Sequence, residues 1–235
     1  MTELLKNQLQ EYELELPETA APAFRRYYEL LTEKSAVMNL TAITGEKETY
    51  SLHFADSLAL LQYENFKNKK IIDIGSGAGF PGVPIAITEK SCSLTIIDAL
   101  QKRIEFLTET CADIGVDAEC IHARAEELAF DKNYRAKFDI AVSRAVARMN
   151  ILCELTMPFV RVGGKFIAMK SIDSDDEIKE AENAVKKLGG KIADICDYPV
   201  PGTDIMHRVV MIEKIAETPT GYPRRFAKIK KSPIL

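Results

Sequence analysis

The sequence predicts an α/β fold in which helices cover both faces of a mainly parallel sheet, led by a small helical N-terminal extension. Three observations predict it. From Lys70 onward, short apolar runs alternate with amphipathic stretches, as strand–helix–strand units require. The first apolar run, IIDI (71–74), opens directly into a glycine-rich loop, the usual ligand end of such a sheet. The length, 235 residues, suits one domain of this kind with a modest appendage.

The elements follow in order. Residues 1–65 read as the helical extension and 66–235 as the main domain with a basic C-terminal tail. Leu4, Leu5, Leu9 and Tyr12 recur at helical spacing. Pro22 opens a second helix carrying Phe24, Tyr27, Tyr28 and Leu31. After the irregular SAVMNLTAITG, a third helix is expected from about Glu46 to Gln62; on it His53 and Ser57, four apart, share a face. Strands are expected at 71–74, 93–98, 118–121, 138–143 and 165–170, with Gly163-Gly164 as the turn before the last. A helix over 102–115 closes at Gly115, and another spans 175–190. Residues 191–200 and 208–214 end the chain as an antiparallel pair.

Composition narrows the function. The hydrophobic fraction is 46%, enough for a sizeable core, and no apolar run reaches the roughly 20 residues that span a bilayer. The acidic, amphipathic start carries no secretory pattern, so a cytoplasmic protein without a membrane partner is expected. Five cysteines, an odd number with no C-x-x-C spacing, read as reduced thiols. His53, His122 and His207 lie far apart, and no metal site is expected. The net charge is −4, yet residues 1–20 alone hold five Glu against one Lys. The tail holds Arg224, Arg225, Lys228, Lys230 and Lys231 between or after Tyr222 and Phe226. Such a run suits phosphates and bases; the alternative is a solvated tail.

The most informative segment is DIGSGAGFPG (73–82). Glycines let the backbone reach positive φ and approach a ligand. Asp98 ends the second strand, where a carboxylate can accept hydrogen bonds from ribose hydroxyls. Gly77 to Gly82 spells G-x-G-x-x-G, which alone would read as a dinucleotide site. That fingerprint should begin at the first glycine after the strand, and counted from Gly75 it fails at Phe80. Asp73 also places a fixed anion where a pyrophosphate would lie. An anion there suits a sulfonium carrying an α-amino group. The reading is a class I, Rossmann-like methyltransferase using S-adenosylmethionine, with Asp73, Gly75, Gly77 and Asp98 at the cofactor.

Sulfonium methyl transfer needs chiefly positioning, so the acceptor distinguishes one enzyme from another. No N/D-P-P-Y motif follows the fourth strand, which reads Ser143-Arg144-Ala145, and no Pro-Cys occurs. Their absence favours an acceptor with its own lone pair, such as guanine N7. The sequence then resembles, over nearly its whole length, the bacterial glucose-inhibited division protein B family of 16S ribosomal RNA guanine-N7 methyltransferases. The resemblance rests on Asn39-Leu40-Thr41, His53 with Asp56-Ser57, the 73–82 loop, Asp98 with Lys102-Arg103 and Phe106-Leu107, Arg124-Ala125-Glu126, Ser143-Arg144-Ala145 and Arg224-Arg225. Ala99 and Ser171 depart from the family pattern. The resemblance implies a monomer that methylates guanine 527, in the decoding-region loop of 16S ribosomal RNA, within the small subunit or an assembly particle.

On that basis Asn39, His53, Arg144 and Lys170 are the candidate catalytic residues. Arg144 would contact the cofactor or the target base. Phe80 reads as a cofactor contact or a core plug, and Ala125 and Glu126 as the adenine contact or, for Glu126, an exposed helix start. His53 reads equally as a satisfied core histidine. Asn39, Ser57, Arg224, Arg225 and Lys228 are the candidate contacts to RNA.

Overall fold

The computed structural model describes residues 2–38, 40–43 and 45–235. Its centre is a seven-stranded sheet of order β3-β2-β1-β4-β5-β7-β6. The strands are β1 (Lys70–Ile74), β2 (Ser93–Asp98), β3 (Ala118–His122), β4 (Phe138–Arg144), β5 (Val160–Ser171), β6 (Gly190–Pro199) and β7 (Met206–Lys214). β1 to β5 run parallel, and β7 lies antiparallel to both β5 and β6. The order reverses between β1 and β4, so the loops leaving those strands diverge and open a crevice at their carboxyl ends.

Strand alternation sends side chains to two apolar layers. Ile71, Ile96, Ile140, Val142 and Ile167 face one; Ile72, Ile97, Ala141, Phe166 and Ala168 face the other. The first layer is covered by α1 (Thr2–Gln10), α2 (Ala21–Met38), α5 (Gly82–Thr88), α6 (Gln101–Ile114) and a helical run over 46–62. That run comprises α3 (Glu46–Thr49), a π-helical segment Tyr50–Ala55, α4 (Asp56–Leu58) and a 3₁₀ turn Ala59–Gln62. α7 (Ala125–Leu128), α8 (Met149–Thr156), α9 (Asp175–Lys187) and α10 (Phe226–Lys231) lie on the other side. Leu5, Leu9, Phe24, Tyr27 and Phe54 are all but fully buried in the same apolar cluster as the strands. Each such side chain contributes roughly 1.5–3 kcal/mol by leaving water.

Two expectations are corrected. The helix over 46–62 is not a uniform α-helix: its middle turn widens to π, a form that recurs at functional sites. Gly163-Gly164 does not precede the fifth strand but lies inside it. β5 begins at Val160, paired with Phe138, and its register with β4 slips before Ile140. A Cβ on Gly164 would stand 2.5 Å from the Asp139 carbonyl oxygen, so glycine there serves a close strand approach.

Candidate active site

The cofactor side grows from the end of β1. Gly75 (φ +69°) leaves the strand, and a Cβ there would meet Val146 Cγ2 at 2.7 Å. Only glycine lets the loops after β1 and β4 approach so closely. Asp73 lies wholly buried beneath the loop. Its Oδ2 accepts hydrogen bonds from Ser76 Oγ and the Gly82 amide, each at 2.8 Å. Its Oδ1 has no partner. Burial pushes this carboxyl up to about 6, despite those two hydrogen bonds. An unsatisfied buried carboxylate oxygen is costly, and a cationic amino group is the partner that would relieve it.

Asp98 is the second acidic anchor. Oδ1 accepts from the Leu100 amide at 2.9 Å; Oδ2 accepts from the Gly77 amide at 3.0 Å and Arg103 Nη1 at 3.2 Å. Three of its roughly four acceptor directions are taken, with partly exposed Arg103 the displaceable partner. Arg103, on α6, thus pairs with the carboxylate that ends β2 rather than with one on its own helix. Beside Asp98 lies a cavity of about 160 Å³. Gly75, Ala125, Glu126 and Val146 line it. Glu126 is buried rather than an exposed helix start.

A second cavity, of about 540 Å³, is lined among others by His53, Asp56, Arg144, Lys170 and His207. Arg144, the last residue of β4, is its hub. It donates from Nη1 to Asp56 Oδ2 at 2.7 Å and to the Leu52 carbonyl at 3.0 Å, and from Nη2 to His53 Nδ1 at 3.2 Å. Asp56 is fully buried. It also accepts from Tyr198 Oη at 2.8 Å and His207 Nδ1 at 2.7 Å. Burial alone would raise its carboxyl, but the His207 hydrogen bond and the Arg144 charge outweigh that and hold it below the usual carboxylate range. His53 is pushed down to about 4 by burial and by Arg144. It is therefore neutral near pH 7, with Nδ1 facing the Arg144 donor and Nε2 2.8 Å from Thr41 Oγ1. Lys170 Nζ donates to the Ala147 carbonyl and pairs with Glu177, both at 2.8 Å.

The loop after β4 divides the two cavities. Arg144 and Ala145 line the larger one and Val146 the smaller. Gly75, Asp98, Ala125 and Glu126 thus line the smaller cavity, with the Gly77 amide on Asp98, and His53, Arg144 and Lys170 line the larger; Asp73 is buried beneath the loop and lines neither.

Four expectations need correction or restriction. The Phe80 side chain is a support: it stacks on Tyr27 at 5.6 Å and on His53 at 4.4 Å, with the Arg144 guanidinium 4.9 Å from its centroid. Ser57 is fully buried and donates to the His53 carbonyl, so it cannot reach RNA. Arg224 turns inward to the fully buried Glu154, leaving its guanidinium no free edge: Nε and Nη2 donate to the two carboxylate oxygens at 2.8 and 2.6 Å, and Nη1 to the Ser232 carbonyl at 3.0 Å. Arg225 and Lys228 remain exposed. Asn39 lies outside the described residues.

Sequence reasoning missed Tyr198, His207, Glu177 and Glu154. Only Glu154 left a signal, a lone acid inside the apolar stretch NILCELTMPF, where a buried charge needs a partner.

Comparison with known proteins shows the family of the chain. A family described as rRNA small subunit methyltransferase G matches residues 20–197. The chain is 42% identical to the ribosomal RNA small subunit methyltransferase G of Alkaliphilus oremlandii, covering 100% of this chain and 99% of that one. It is 43% identical to the protein of the same name from Clostridium beijerinckii, covering 99% and 98%. Among solved structures, a methyltransferase from Pyrococcus furiosus superposes with a TM-score of 0.58 at 14% identity, over 82% of this chain and 98% of that one. That likeness speaks for the fold alone.

Proposed function

The chain belongs to the rRNA small subunit methyltransferase G family, and from that premise we propose that it transfers a methyl group from S-adenosylmethionine to N7 of guanine 527 in 16S ribosomal RNA. It acts in the cytoplasm as a monomer, on the small subunit or an assembly particle. No described helix is long and apolar enough to cross a membrane.

The observation that carries the acceptor reading is the state of the larger cavity. Every basic group on its wall has a partner, and among the described residues no cysteine lines it. His53 is held neutral between Arg144 and Thr41. Such a wall offers no nucleophile to attack a pyrimidine carbon. It suits an acceptor that attacks with its own lone pair, as guanine N7 does. Arg144 and Lys170 stand on this wall as donors for guanine O6, which leaves the N7 lone pair free to attack.

S-adenosylmethionine supplies a methyl already activated by the sulfonium. The chain's residues orient it: Asp73 offers its free Oδ1 to the amino group and Asp98 its carboxylate to the ribose. Reaction then rests on alignment rather than proton transfer.

N7-methylguanine is cationic, and its strand is cut by reduction followed by aniline. Small subunits from cells lacking the protein, incubated with the purified enzyme and S-adenosylmethionine, should yield RNA that this treatment breaks at one site in the decoding-region loop. A methylated product that resists cleavage, or methyl on cytosine or adenine, would refute the N7 assignment.

A further inference from the structure

We infer that the C-terminal segment completes the adenine end of the cofactor site, with Phe226 as its outer wall and the Arg224–Glu154 ion pair holding that wall in place. The inference rests on assigning the cavity beside Asp98 to the adenosyl group.

Three sides of that cavity come from the sheet: the ends of β1 and β2, the turn after β3 and Val146 after β4. Phe226, the first residue of α10, closes another side. α10 pairs with no strand, so its position depends on anchors. Arg224 is the strongest, with its amide and Nε both 2.8 Å from Glu154 Oε1 and Nη2 2.6 Å from Oε2. Arg135 Nη1 holds the Tyr222 carbonyl at 2.9 Å. Ile229 and Ile234 are buried beyond. Each flank of Phe226 is thereby fixed.

The ring itself is under-used. Phe226 is 37% exposed, high for a large aromatic between two anchored neighbours. The Arg124 guanidinium stands 5.8 Å from the ring centroid. An adenine entering beside Asp98 would cover the remaining ring surface, and aromatic side chains bind bases tightly through such contact. The basic tail, read from sequence as an RNA contact or a solvated tail, therefore also carries a cofactor residue.

Calorimetry with S-adenosylhomocysteine on the full-length protein tests this. Phe226→Ala should raise Kd on the order of tenfold, the scale of one base–aromatic contact. Phe226→Tyr should stay within about twofold, because the ring is kept. Arg224→Ala should weaken binding in the same direction, and Lys231→Ala, on the outer face of α10, should not. Arg224→Ala strips a buried carboxylate of its partner, so the two Phe226 variants decide the question independently of its folding. Parental affinity in Phe226→Ala, with Asp98→Ala impaired, overturns the wall while the cavity assignment stands. Parental affinity in Asp98→Ala overturns the cavity assignment and the wall with it.

Discussion

Asp73 illustrates what one residue decides. The sequence places an acid two positions before the first glycine, and the fold seals it away from water with one oxygen unpaired. Its folded-state value of about 6 lies above the ~3.9 of an unfolded chain. The folded protein without cofactor therefore binds this proton more tightly than the unfolded chain does. The charged form costs stability above about pH 6, and that cost disappears as pH falls below about 4. Asp73→Asn should accordingly stabilise the cofactor-free protein by about 1–2 kcal/mol near neutral pH and by little near pH 4, read as denaturation midpoints across pH. The same variant should lose cofactor affinity. The parent's affinity should fall as pH drops through 6, whereas the variant's should not; a parental profile that is flat from pH 8 to 5 would remove Asp73 from the cofactor. At Arg144 the expected cost is structural as well as functional. Arg144→Ala leaves the buried Asp56 with only Tyr198 and His207 as partners, and should lower stability by about 3 kcal/mol. Methylation should fall with it, and Arg144→Lys should restore little, because a single ammonium cannot reach Asp56, Leu52 and His53 together.

At the scale of elements, the C-terminal segment shows how charge patterning misleads. Arg224 and Arg225 are adjacent and read alike in sequence. One satisfies Glu154 in the interior and the other faces solvent. Arg224→Ala should cost roughly 3–5 kcal/mol in chemical denaturation by orphaning a buried carboxylate. Arg225→Ala should cost under ~0.5 kcal/mol. The RNA effect should be the reverse. Replacing Arg225 and Lys228 together should flatten the salt dependence of RNA binding by about 0.7–0.9 for each phosphate they neutralise in the parent, with unchanged denaturation. A salt slope equal to the parent's would move the RNA interface off this helix. The run over 46–62 gives a related lesson. Its residue types announce a helix, while the π-turn within it, where His53 meets Arg144 and Phe80, left no mark in them.

At the scale of the molecule, the site sits where the strand order reverses. β1, β2 and β4 each end at one of the two cavities, and the turn after β4 separates them. α1 and α2 bury their apolar faces in the same layer as the sheet, and Leu52, His53 and Asp56 of the 46–62 run line the larger cavity. Truncation of residues 1–45 should therefore abolish cooperative folding rather than yield a soluble methyltransferase core. A truncated chain that unfolds in a single sharp transition with parental cofactor affinity would show the extension to be a separable module.

What the sequence determined by itself was local or periodic. Alternating apolar runs specify strands, the glycine loop specifies a turn only small residues can make, and Asp73 and Asp98 stand at strand ends whichever way the sheet is assembled. These signals depend on neighbours within a few residues. What tertiary structure alone decided was pairing between distant side chains. Asp56 meets Arg144, Tyr198 and His207, so that four separate elements converge on one charge. Glu154 claims Arg224, and Phe226 reaches the cavity beside Asp98. Burial is the physical reason: taking a carboxylate out of water demands a partner, and only the folded chain brings partners of that reach together.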